Sequence, residues 1–118
     1  MQPPDEIRLS ADRRTLTVAW GAVRHAIPAE LLRVESPSAE VQGHDPSEKR
    51  LVAGKREVEI AGIEPVGNYA VRLRFDDGHA TGIYSFDLLR RMGEEGGAML
   101  GRYDEAIRVA GRSRERGG

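Results

Sequence analysis

The sequence predicts an α+β domain: a mainly antiparallel β-sheet of about five or six strands packed by two or three short helices. Three observations predict it. Tyr69, Val71, Leu73 and Phe75 alternate with Ala70, Arg72 and Arg74, the period of two of a strand with one face on a core. Asp77-Gly78 then turns the chain into a returning strand through Tyr84. Ser85 follows as a helix N-cap ahead of Leu88, Leu89 and Met92, with Gly93 placed to end a short helix.

From the start of the chain, Met1 to Asp5 is a polar, proline-containing lead expected to be flexible. Ile7 and Leu9, a turn around Ser10 to Arg14, and Leu16, Val18 and Trp20 form a hairpin pattern; Val23 to Ile27 supplies a third short strand. Pro28 sits where helices start, and Ala29, Leu31, Leu32 and Val34 bury one side of a two-turn helix that stops before Pro37. Residues 35–56 hold two prolines, two glycines and no sustained period, which predicts a long loop with at most short structured pieces.

The central segment runs from Val58 to Met92 as a strand, a hairpin and a helix. With a two-residue turn at Asp77-Gly78, Asp76 faces His79, Phe75 faces Ala80, Leu73 faces Gly82 and Val71 faces Tyr84. Arg72, Arg74, Asp76, His79 and Thr81 then share a polar face. A three-residue loop over Asp76, Asp77 and Gly78 with a bulge would shift this register. Beyond it, Glu94 to Gly97 reads as a break. Ala98 to Ala110 reads as a second helix, with Met99, Leu100, Tyr103 and Ile107 on one face and Asp104 four residues before Arg108. The domain is expected over residues 6–110, with a disordered tail over 111–118.

With 118 residues, 18 basic against 19 acidic side chains and a net charge of −1, the chain suits one domain and lacks the global basic field of a dedicated nucleic-acid binder. Its charged, unleadered start predicts a cytoplasmic protein without a membrane partner. Zero cysteines exclude disulfides, thiolate metal sites and cysteine nucleophiles. No phosphate loop, nucleophile elbow, dinucleotide fingerprint or His-Glu-x-x-His motif occurs. The chain is therefore expected not to be an enzyme.

His79 with Asp76 is the leading candidate for chemistry, because a carboxylate beside an imidazole orients it as a ligand or favours its charged form. The plainer reading is a turn histidine with no task. His44, beside Asp45 in the long loop, suits zinc or iron(II) if it approaches His79, and otherwise solvates the loop. Arg72, Arg74, Arg90 and Arg91 form either a phosphate-binding surface or an ordinary solvated face and helix end.

Leu32-Arg33, followed by Ser36-Pro37-Ser38 and Val41, and Phe75-Asp76-Asp77-Gly78-His79 with Tyr84-Ser85-Phe86-Asp87-Leu88-Leu89, resemble the γ-butyrobetaine hydroxylase-like N-terminal domain, formerly a domain of unknown function. The resemblance covers about Ile7 to Met92. The stretch IEPVGNYAVRLRFDDGHATGIYSFDLLR is similar to the small stand-alone bacterial members. In the hydroxylases such a domain precedes an iron(II) and 2-oxoglutarate barrel and holds zinc through three cysteines and a histidine. The resemblance places those ligands at Ser36, Ser38, Val41 and His79. It also implies an association with P-loop carriers of iron–sulfur clusters. Serine is a poor zinc ligand and valine none, so no cofactor is assigned.

Together these readings predict a non-catalytic binding or accessory domain near iron–sulfur or iron(II)-dependent systems, monomeric or weakly dimeric, with a protein partner. Its expected surface combines Asp76, His79, Arg72 and Arg74 with Ser36, Ser38 and His44. The alternatives are a zinc or iron protein using His79 with loop ligands, and phosphate or nucleic-acid binding through the arginines.

Overall fold

The structure, a computed structural model, describes residues 2–117. Its strands form two three-stranded antiparallel sheets rather than one. β1 (Glu6–Leu9), β2 (Thr15–Trp20) and β3 (Val23–Pro28) make the first in the order β1-β2-β3, with Leu16 opposite Ile27 and Val18 opposite Ile7 and His25. β4 (Ile60–Val66), β5 (Ala70–Phe75) and β6 (Gly82–Ser85) make the second in the order β4-β5-β6.

Arg13 joins the two sheets. It sits at the β1–β2 turn with φ of 63°; its carbonyl accepts from the Ile60 amide, and its guanidinium donates to the Ile60 and Ala61 carbonyls at 2.8 and 2.7 Å. The alternating apolar positions of both sheets then meet in one core, where Leu16, Val18, Ile27, Ile60, Leu73 and Tyr84 are sealed from water. Trp20, the last residue of the central strand β2, donates its indole N–H to the Gln2 carbonyl.

Helix α1 (Ala29–Val34) brings Leu31 and Leu32 into that core. The long loop contains a single-turn helix, α2 (Ala39–Gln42), and a 3₁₀ turn over Pro46–Glu48, each capped by its preceding Ser38 or Asp45 side chain.

The C-terminal helix differs from expectation. α3 is continuous from Phe86 to Val109, capped by Ser85 Oγ accepting from the Leu88 amide, and Gly93 does not end it. A Cβ on Gly93 would lie 2.5 Å from His25 Cβ, so the glycine is where the helix crosses β3, not a stop signal. Arg90–Glu94 and Arg91–Glu95 pairs span the stretch read as a break. As the spacing predicted, Tyr103 and Ile107 are buried, and Asp104 pairs with Arg108.

Of the tail expected to be disordered over 111–118, Gly118 lies outside the described residues, and residues 111–117 make specific contacts. The Ser113 and Arg114 carbonyls accept from Gly54 and Arg56, and Arg114 forks onto the buried Glu30 carboxylate at 2.6 and 2.7 Å. Among the described residues no helix is long and apolar enough to cross a membrane.

Candidate interaction site

The hairpin tip decides where His79 points. The Phe75 amide donates to the His79 carbonyl and the Gly78 amide to the Phe75 carbonyl, closing a three-residue loop over Asp76, Asp77 and Gly78. Further along, Leu73 still opposes Gly82 and Val71 opposes Tyr84, so β6 carries one extra residue on its way to the tip. An extra residue moves a side chain to the opposite face of a sheet. His79 consequently lies inward with Gly82 and Tyr84, its side chain only 4% exposed, and not on the polar face with Arg72, Arg74 and Thr81.

Its neighbours come from the segment after α1. Ser36, fully buried, places Oγ 2.9 Å from His79 Nε2, and the same oxygen accepts from the Ser38 amide at 3.3 Å. Ser38 caps α2 through the Glu40 amide and shares a hydrogen bond of 2.7 Å with Thr81. That cap sets Glu40 over the imidazole, with Oε2 3.5 Å from Nδ1. A carboxylate there can only accept, so Nδ1 carries the proton of the neutral ring and Nε2 accepts from the Ser36 hydroxyl. Gly82 makes room for this: a Cβ would sit 2.5 Å from Ser36 Oγ. Burial, then the nearby Arg33 guanidinium, lower the His79 pKa, while Glu40 and Asp77 oppose them.

Asp77, not Asp76, is the carboxylate of this corner. It accepts from the His79 amide at 3.0 Å and pairs with both Arg33 and Lys55 at 2.7 Å. Burial pushes its carboxyl up, but the hydrogen bonds from Lys55, the His79 amide and Arg33 outweigh that and hold it at about 2. Asp76 instead exchanges hydrogen bonds with the Glu59 backbone. His44 is exposed in the loop, its amide bonded to Glu48.

The four arginines do not form one patch. Arg72 and Arg74 share Glu64, Arg90 lies 5.1 Å over the Trp20 ring, and Arg91 pairs with Glu95 on α3. The structure instead gathers Arg33, Arg50, Lys55 and Arg112 around a depression of about 470 Å³ that reaches Glu40 and His79.

The sequence reading missed Arg33, Glu40 and Asp77. Only the last had a local signal, since the three-residue loop turns Asp77 toward its own hairpin.

Comparison with known proteins places this geometry. The model of the gamma-butyrobetaine hydroxylase-like N-terminal family matches residues 7–90. The chain belongs to this family. Two similar proteins have NMR solution structures, at 41% and 39% identity with TM-scores of 0.84 and 0.82, each covering 98% of this chain and 91% and 87% of their own. A crystal structure of a DUF971-family protein of unknown function from Acidithiobacillus ferrooxidans ATCC 23270 is 38% identical, with a TM-score of 0.64 over 77% of this chain and 92% of that one. No curated protein matches.

The four positions to which the resemblance assigned zinc ligands are all buried: Ser36, Ser38, Val41 and His79. Their chemistry does not fit the metal. Two hydroxyls and an isopropyl group stand in place of thiolates, and both hydroxyls are used in hydrogen bonds. No group of three or more His, Asp or Glu among the described residues is arranged to hold a metal ion.

Proposed function

We propose that this chain is a non-catalytic binding or accessory domain, working by docking to another protein. The supporting observation is the closure of its most reactive-looking cluster. Ser36 Oγ, the His79 ring and Glu40 run in the order hydroxyl, imidazole, carboxylate that activates a nucleophile. A nucleophile must reach a substrate carbonyl beside oxyanion donors. Ser36 has no exposed surface, its oxygen already joins His79 and the Ser38 amide, and Gly82 lies against it. The cluster fastens the long loop to the hairpin and holds the cationic depression in shape. An accessory role beside iron–sulfur or iron(II)-dependent systems comes with the family resemblance, not from a ligand set in this chain.

Two measurements on the intact chain test this. A fluorophosphonate probe is expected to leave Ser36 unlabelled. Anaerobic titration with zinc or iron(II), followed by NMR, is expected to leave the His79 ring resonances in place. A control carrying Ser36→Cys, Ser38→Cys and Val41→Cys together responds at stoichiometric zinc. Labelling of Ser36, or a stoichiometric response of the unaltered chain, would overturn the reading.

A further inference from the structure

A second groove lies between the long loop and α3. Its floor is apolar, built from Val34, Leu51, Val52, Met99, Tyr103 and Ala106, and it encloses about 410 Å³. That is room for one or two large apolar side chains. Its rim is cationic: Lys49, Arg50, Arg91 and Arg102 stand around a single lining carboxylate, Glu35. Glu35 pairs with Lys49 at 2.7 Å, and Arg91 reaches Glu95 at 3.7 Å. Arg50 and Arg102 have no carboxylate within 4 Å among the described residues. A chain of net charge −1 thus concentrates unneutralised positive charge around one apolar hollow.

The loop side of the groove is tied down by hydrogen bonds yet leaves hydrogen-bonding capacity. Arg50 N–H bonds to the Val41 carbonyl, Arg112 donates to the Leu51 carbonyl, and Tyr103 OH donates to the Val52 carbonyl. The amides of two lining residues, Leu51 and Val52, donate to no acceptor among the described residues. Arg50, Leu51 and Val52 also line the depression beside His79, so the two hollows form one continuous cationic face.

We infer that this groove docks an acidic, amphipathic peptide segment of a partner protein, a proposal that rests on the binding-domain reading above. Apolar anchors of the segment fill the floor, and flanking aspartates and glutamates meet Arg50 and Arg102. A nucleic acid fits less well. The one aromatic ring on the floor, Tyr103, is 5% exposed with its hydroxyl committed, which leaves no stacking platform.

The test uses the full chain and a dye-labelled synthetic peptide with a leucine and a phenylalanine set among aspartates and glutamates. Fluorescence anisotropy is expected to report binding tighter than about 1 mM that weakens with added salt. It is lost when the apolar pair becomes serine or the acids become amides. Arg50→Glu or Arg102→Glu weakens it roughly tenfold, and Ala106→Trp, which fills the floor from an exposed position, abolishes it with the thermal midpoint unchanged. Arg72→Glu, outside the groove, leaves it intact. The proposal is overturned by no binding, by equal binding of the amide peptide, by indifference to Arg102→Glu, by displacement with a single-stranded oligonucleotide, or by self-association that Arg102→Glu removes. If the peptides fail while Ser36 stays unlabelled and His79 ignores metals, the groove proposal alone falls; if Ser36 is labelled, the binding-domain reading falls independently.

Discussion

His79 shows how one side chain couples the cluster to solution conditions. Its ring is almost enclosed, faced by Ser36, Glu40, Arg33 and Asp77, and its folded-state pKa lies below the ordinary value of 6.5, first because of burial and then because of Arg33. The unfolded chain therefore takes up this proton more readily than the folded one. The stabilising contribution is complete above 6.5 and is lost as pH falls through the folded value. Urea midpoints should drop on acidification below pH about 6, and His79→Gln should flatten that part of the profile; a wild-type midpoint level across the window would mean the ring is solvated. Which residues face His79 was only half legible in the sequence. Ser36 and Ser38 were reached through the family resemblance. The choice between Asp76 and Asp77, however, depends on whether the turn holds two or three residues, and both closures suit Asp-Asp-Gly. Arg33 and Glu40 approach from a distant segment, beyond what local periodicity reports.

Elements whose burial follows a simple period were readable. β1, β2, β3 and β5 lie where alternation put them, apart from Tyr69, which is exposed while Ala70 is buried; α1 lies where its spacing put it, but all its residues except Arg33 are buried, not one face alone. The helix–helix break was not readable, because glycine lowers helix propensity wherever it stands and only tertiary contact says why it is tolerated. Within α3 the glycines divide by what a Cβ would meet. A Cβ on Gly93 would lie 2.5 Å from His25 Cβ, beside the backbone of β3, where nothing flexible can yield; Gly97 and Gly101 face open space. Gly97→Ala should therefore stabilise the domain by about 0.5–1 kcal/mol through helix propensity. Gly93→Ala gains the same propensity yet should be net destabilising, by about 1–3 kcal/mol of overpacking. Thermal denaturation of the two variants checks both signs at once. A Gly93→Ala variant as stable as Gly97→Ala would mean that α3 and β3 do not pack this closely.

At the scale of the molecule, two three-stranded sheets and a long loop are held as one body by a few cross-connections of opposite kinds. Arg13 ties the sheets through backbone carbonyls, whereas Arg114 ties the C-terminal tail to α1 through a charge. Glu30 is only 5% exposed, and its two carboxylate oxygens receive both prongs of the Arg114 guanidinium. The same carboxylate joins burial in pushing the Tyr103 hydroxyl up to about 12, with burial the larger cause. Breaking such a pair from one side is costly mainly because the remaining charge stays desolvated. Arg114→Ala should then destabilise the domain by about 3 kcal/mol, a large share of the about 5–15 kcal/mol that holds a domain folded. Adding Glu30→Leu should recover most of that loss, since an apolar side chain in that buried position needs no counter-charge. Urea unfolding of the single and double variants separates the two explanations. Recovery in the double variant identifies the buried carboxylate as the source of the cost. An equal loss in both assigns it to the undocked tail, whose Ser113 and Arg114 carbonyls also hold the loop at Gly54 and Arg56. The loop lining the cationic groove would then depend on the tail for its shape.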